Sequence, residues 1–226
     1  MELFEAMRTM GSVREFDDRP IDRTTLTNIF ENARFAGSGG NRQGWHVISV
    51  ESPAARAEVR RVSELGFREY YAQIVAGRVP FAPGDDGAWH GAPVDFAAAR
   101  AAEVDFGFGP AIECAPALLL VTVDLRTLAV TDIDATHSSI IGGASIYPFV
   151  HNILLGARNL GIGGVLTTFV CRDEPAMRRL IGLPDSHAIA AVLVLGYPKS
   201  QVTKLNRKPV EAFVTIDRFD GQPWPT

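Results

Sequence analysis

The segment spanning about residues 139–160 limits the architecture more than any other. Ile146, Phe149, Val150, Ile153, Leu154, Leu155 and Ala157 leave it almost no polar face, and their spacing predicts a helix. A helix that is apolar all round has to be covered on all sides, so it belongs at the centre of a fold. Partners for it are the alternating apolar and polar stretch at 45–50 and the short apolar, β-branched runs at 117–123, 165–170 and 188–195, which read as strands.

Further helices follow from spacing and caps. Leu3, Phe4, Met7 and Met10 form one face of a short amphipathic helix that stops near Gly11. Asp22 or Thr24 can cap a second helix to about residue 35, with Leu26, Ile29, Phe30 and Ala33 inward. A polar helix is expected over about 53–76, and Asp173 caps another, with Pro175 accommodated in its first turn. Strands and helices do not alternate regularly, which makes α+β the fold class. With 226 residues and 46% hydrophobic content the chain can bury a core without staples. No linker or repeat divides it, so 1–226 reads as one domain. The 77–109 stretch stands apart, with its prolines and glycines interleaved with Phe81, Trp89, Phe96, Phe106 and Phe108. Irregular stretches of this length serve as lids or binding loops, or are solvated excursions with a few anchoring aromatics.

Several function classes are excluded or lack a signal. A net charge of -4 offers no basic face to nucleic acid, although a few arginines can still hold a small anion. No apolar run reaches the roughly 18 residues that span a bilayer, and the acidic start Met1 to Glu5 is no signal peptide. The expectation is a cytoplasmic protein. Cys114 and Cys171, far apart in apolar surroundings, read as buried thiols without bridges. Gly161, Gly163 and Gly164 follow a helix where a dinucleotide fingerprint needs a strand, so they read as a helix stop. Ser145 lacks the second glycine of a nucleophile elbow, because Tyr147 stands there. Asp132, Asp134 and His137 read as a solvated loop, and the five histidines lack metalloprotease spacing. Acid–base, metal and nucleophile chemistry thus have no specific signal, which points to a bound organic cofactor.

Three segments point to FMN. Ser12 and Arg14 supply a hydroxyl and a guanidinium after the first helix. The 38–45 segment supplies Ser38, Gly39 and Gly40 for close backbone approach, and Asn41 and Gln43, whose amides both donate and accept. Near the C-terminus, Arg207 can fork onto a phosphate. In this order the segments resemble those of the nitroreductase superfamily of FMN-dependent oxidoreductases. The 11–16 stretch is similar to the family's N-terminal arginine–serine motif, and 38–45 to its serine-rich turn ending in Asn-x-Gln-Pro-Trp. The 142–147 and 161–168 stretches, Leu183 to Asp185, Leu195 to Pro198, and Arg207 to Pro209 with Glu211 extend the likeness over nearly the whole chain.

The resemblance implies a mixed sheet wrapped by helices, and an intertwined homodimer with FMN at the subunit interface. It implies Ser12, Arg14 and Arg207 on one side of the flavin, with Arg207 at the phosphate. Ser38, Gly39, Asn41 and Gln43 would come from the partner, and Leu166, Thr167 and Thr168 would lie along the ring. It further implies hydride transfer from NADH or NADPH through the flavin to a nitro-aromatic, quinone or similar acceptor. For that acceptor the irregular 77–109 stretch, with Phe81 and Trp89 foremost, is the candidate lid. Same-fold alternatives are a dehalogenase, a dehydrogenase, a flavin-fragmenting enzyme and a flavin-sequestering protein. Two departures stand out. Met10 and Gly11 replace residues that are often basic, leaving Arg8 or Lys204 to compensate, and Gly44 replaces the usual proline.

Overall fold

The computed structural model describes residues 1–225. The chain runs α1 (Leu3–Thr9), α2 (Arg23–Ala33), β1 (Trp45–Ser49), α3 (Pro53–Val75), α4 (Phe96–Ala101), α5 (Gly109–Cys114), β2 (Ala117–Asp124), α6 (Tyr147–Asn159), β3 (Gly163–Thr167), α7 (Glu174–Ile181) and β4 (His187–Gly196). The starts of α2, α3 and α7, like that of α4 below, are set by side-chain caps. Asp22 accepts from Thr25 N, Ser52 from Ala55 N and Asp173 from Ala176 N, each satisfying an amide that the first turn cannot.

The four strands form one sheet in the order β1-β2-β4-β3, and every pairing between them is antiparallel. Its mixed character comes from a single parallel bridge between Ser12 and Gly164. β2 alternates its side chains between two cores. Leu119, Val121 and Val123 face α2 and α6, whereas Leu118 and Leu120 face the α3, α5 and α7 side. Burial on both faces explains why β2 and β4 read as continuous apolar runs, as in a sheet covered on each side.

Five sequence expectations need correction. The long apolar helix begins at Tyr147 and not near residue 139, because a 3-10 stretch at Ile141–Ser145 precedes it and Pro148 sits in its first turn. It is also covered on one face only: Phe149, Val150, Ile153 and Ala157 are buried, while His151 is exposed and Leu155 lines an open groove against α1 and α2. β3 ends at Thr167, since residues 169–173 turn into a 3-10 segment. The 77–109 stretch contains α4, capped by Asp95, which accepts from Ala97 N and Ala98 N. The remaining correction concerns Cys114, which is exposed; Cys171 is half-buried, and both are free. Burial pushes the Cys171 thiol up to about 11.

Candidate functional site

β3 is an edge strand, and its outer side shapes the most suggestive cavity. Val13 donates its N–H to Gly164 O at 3.0 Å, straddling the Ser12 bridge. The approach is close: a Cβ at Gly163 would come within 2.8 Å of the Val13 side chain. Antiparallel backbone groups alternate in direction, so Leu166, two residues beyond Gly164, turns its N–H and C=O away from β4 as well. Among the described residues no strand pairs with that side beyond the Ser12 bridge.

Facing this edge is a cavity of about 440 Å³, within the range usual for small-molecule sites. Its walls come from β3 and the following turn (Val165 to Phe169), from Phe67 and Tyr70 of α3, from Phe106, Gly107 and Phe108, and from Arg14. Arg14 is the one charged residue on the wall. Its guanidinium lies 5.9 Å from the Phe108 ring centroid and makes no ion pair among the described residues. The rings pack on one another: Phe67 on Phe106 at 4.7 Å, Tyr70 on Phe169 at 5.6 Å, and Phe106 on Phe108 at 6.0 Å. The result is a slot with aromatic walls, a cation at one end and free backbone polar groups along one side.

The wall is held from behind by a buried charged cluster. Glu69 is fully buried on α3 and pairs with Arg100 of α4 at 2.5 Å and with Arg172. Arg100 also donates to Arg172 O at 2.9 Å. The Arg172 guanidinium packs over Phe81 at 5.3 Å and Phe96 at 5.0 Å. One turn along α3, buried Gln73 accepts from Phe81 N at 3.0 Å. The 77–109 stretch is therefore pinned to α3 by ion pairs and hydrogen bonds.

The residues singled out in the sequence fall into four places. Arg14, Leu166, Thr167 and Thr168 line the cavity, with Ser12 beside them at the Gly164 bridge. Arg207 is exposed and donates to Asn206 O at 2.7 Å. Its arm folds back along the start of the chain, where Lys199 N donates to Glu15 O, Gln201 Nε2 donates to Thr9 O, and Leu205 packs at Gly11. A Cβ at residue 11 would lie 3.1 Å from the Leu205 side chain and 3.2 Å from Val202 Cβ, so any larger residue there would have to fit tightly against this arm.

The 38–44 turn lies at the other side of the sheet, leading into β1. Ser38 Oγ accepts from Gln43 N at 3.0 Å, Gly39 N donates to Ser145 Oγ at 3.0 Å, and Gln43 Nε2 donates to Asn41 Oδ1 at 3.1 Å. Asn41 and Gln43 both hold positive φ, at 54° and 49°. β1 and β3 are the two edges of the sheet, about 14 Å apart at three strand spacings. Gly44 also has a local reason: a Cβ there would sit 1.8 Å from Thr127 Oγ1.

Phe81 and Trp89 stand behind the wall, outside the cavity. Phe81 packs on Tyr70 at 6.5 Å and on Trp89 at 6.2 Å. Phe67 and Tyr70 were missed as wall residues because the α3 segment reads as a polar helix, and Phe169 because it was read as part of a strand. The signal for the α3 pair was the aromatic spacing of Phe67, Tyr70 and Tyr71 towards the end of that helix. Asp132, considered above as part of an acidic loop, accepts from Ser139 Oγ and Ile140 N and braces the turn before α6. Among the described residues no group of His, Cys, Asp and Glu could hold a metal ion, and no helix is long and apolar enough to cross a membrane.

Comparison with known proteins agrees with this geometry. The family model described as Nitroreductase family matches residues 8–197. A 5,6-dimethylbenzimidazole synthase of Rhodobacter capsulatus is 28% identical over 210 residues, covering 87% of this chain and 84% of the relative. A 4-nitrobenzoate reductase of Nocardioides sp. is 26% identical over 240 residues, covering 96% and 90%. Among solved structures, an iodotyrosine deiodinase bound to FMN and 3-iodo-L-tyrosine superposes with a TM-score of 0.67. It is 23% identical, covering 96% of this chain and all of that one.

Proposed function

The chain belongs to the nitroreductase family, and we propose that it is an FMN-dependent oxidoreductase that takes hydride from NADH or NADPH and passes it to a nitro-aromatic, quinone or similar electron-poor ring. The flavin, when bound, supplies the redox chemistry; the chain binds, orients and shields. The observation that carries this reading is the unpaired outer side of β3 facing an aromatic-walled cavity with one arginine. A flavin needs flat apolar walls for its ring and a row of donors and acceptors for its polar edge, and both are present. Leu166 and Thr168 would meet that edge with backbone groups, Arg14 would hold the pyrimidine end, and Arg207 with Ser12 would take the phosphate.

The proposed site is shared between two copies of the chain. Ser38, Gly39, Asn41 and Gln43 sit at the sheet edge opposite the cavity, so one chain cannot bring both groups to one flavin. A second copy related by a two-fold axis would. The outward apolar face of α1, with Leu3, Phe4 and Met7 about half or more exposed, supports such an interface.

A flavin-sequestering role fits the geometry less well. It requires the 77–109 stretch to fill the slot, whereas Phe106 to Phe108 of that stretch form its wall, Phe81 and Trp89 pack behind Tyr70, and about 440 Å³ is left open between the walls. The test is spectroscopic. The purified protein incubated with FMN and desalted should keep flavin absorbance, and NADH or NADPH should bleach it without acceptor in the absence of oxygen. A protein that stays colourless refutes the reading. Retained flavin that neither nucleotide bleaches would favour the dehalogenase-like, dehydrogenase-like or flavin-fragmenting alternatives.

A further inference from the structure

We infer that Tyr70 orients the electron acceptor through its phenolic hydroxyl, and that the site prefers planar rings bearing a hydrogen-bond-accepting oxygen. The inference rests on the oxidoreductase reading above and deepens it by naming what the acceptor must carry.

The polar side chains on the cavity wall are few. Arg14 and Thr168 lie on the side assigned to the flavin, and Thr167 is buried, its Oγ1 accepting from Phe169 N at 3.4 Å. Across the slot, Phe67, Phe106, Phe108 and Phe169 present only hydrocarbon. Tyr70 is the exception on that wall. Its hydroxyl has no hydrogen-bond partner among the described residues, although the ring is half-buried. A phenol can donate to a carbonyl, nitro or carboxylate oxygen that the surrounding rings cannot recognise.

The ring is also held in place before any ligand arrives. Phe169 meets it edge-on at 5.6 Å, with Phe67 at 6.4 Å and Phe81 at 6.5 Å on other sides. Glu69, the preceding residue, is tied to Arg100 and Arg172, which fixes the rotation of α3 about its axis. Arg172 in turn packs on Phe81. A donor positioned this way costs little conformational entropy when it engages a ligand, which makes it a discriminating contact. It also gives the part of 77–109 that lies behind the wall a role: Phe81 supports Tyr70 without touching the acceptor.

Tyr70→Phe removes the oxygen and keeps the ring. FMN-loaded wild type and variant are compared by equilibrium titration with benzaldehyde and with toluene, which differ in a carbonyl oxygen, and by turnover with duroquinone and with ferricyanide. Benzaldehyde binding should weaken about 3- to 10-fold, the usual weight of one neutral hydrogen bond. Duroquinone kcat/KM should fall by a similar factor. Toluene binding, FMN retention, flavin bleaching by NAD(P)H and ferricyanide turnover, which needs no oriented contact, should not change. Unchanged benzaldehyde binding, equal losses for benzaldehyde and toluene, or a wild type that does not prefer benzaldehyde over toluene overturns the inference while normal bleaching leaves the oxidoreductase reading standing. A wild type that retains no flavin, or whose flavin is not bleached, removes both.

Discussion

Glu69 offers the sharpest test of how the cavity wall is held. Its carboxylate is fully buried and receives charge-assisted bonds from Arg100 Nε and Arg172 Nε. Glu69→Gln keeps the shape but turns an amide N–H₂ toward one of the two guanidinium donors. Removing one member of a buried ion cluster costs about 3–5 kcal/mol. The two arginines are 37% and 36% exposed, so water can reach them, and the lower end, about 3 kcal/mol, is the appropriate figure. For a chain of this size that corresponds to a fall in Tm of about 6–12 °C. Calorimetry on wild type and variant in one buffer at one protein concentration measures it. Because α4 and Phe81 are anchored through the same cluster, trypsin should also cut faster after exposed Arg78. A destabilisation below about 1 kcal/mol, the scale of an exposed ion pair, would refute the claim that this cluster pins 77–109 to α3.

Three further outcomes follow from local geometry. Gly44→Ala should destabilise by about 1–3 kcal/mol through overpacking against Thr127, and adding Thr127→Gly should recover part of that loss in urea denaturation. Asp124 is held down to about 2, first by its side-chain hydrogen bond from Arg126. Since its pKa is lowered on folding, its contribution is complete above the unfolded value near about 4 and is lost as pH falls toward about 2. A carbon-13 NMR titration should follow this, with Arg126→Gln moving the midpoint upward. A thiol reagent at mildly alkaline pH should label exposed Cys114 quickly and Cys171 slowly, since Cys171 is raised by burial to about 11; equal rates would contradict that.

Much of the fold was legible because caps and apolar runs state local physics directly. Asp22 and Asp173 mark the starts of α2 and α7, and the apolar runs at 117–123 and 188–195 lie within β2 and β4. The misreadings share a cause: apolar continuity does not reveal where the backbone changes state. Ile140 and Ile141 extended the central helix on paper, although the glycines after them form a 3-10 turn. Phe169 and Val170 extended β3 in the same way. The α4 helix was missed, although Asp95 before a run of alanines is a legible cap. At the cavity, the backbone of 166–168 was singled out only by resemblance, since nothing in side-chain chemistry marks a strand edge. Tyr70 was missed because a tyrosine at the end of a polar helix looks like any surface aromatic. Gly44 had no explanation until Thr127, distant in sequence, came to lie beside it.

The outer side of β3 has a consequence for handling the protein. An open strand edge is a template on which another chain can add, and folded proteins blunt such edges with charge, proline or cover. Here Ser12 covers one end, and Leu166 and Thr168 carry no charge to repel an incoming strand. On the proposed reading, the flavin ring is the remaining cover. Protein stripped of flavin should then aggregate faster than the loaded form at equal concentration, with light scattering as the measure. The cofactor would thus act as a chaperone for the strand that binds it.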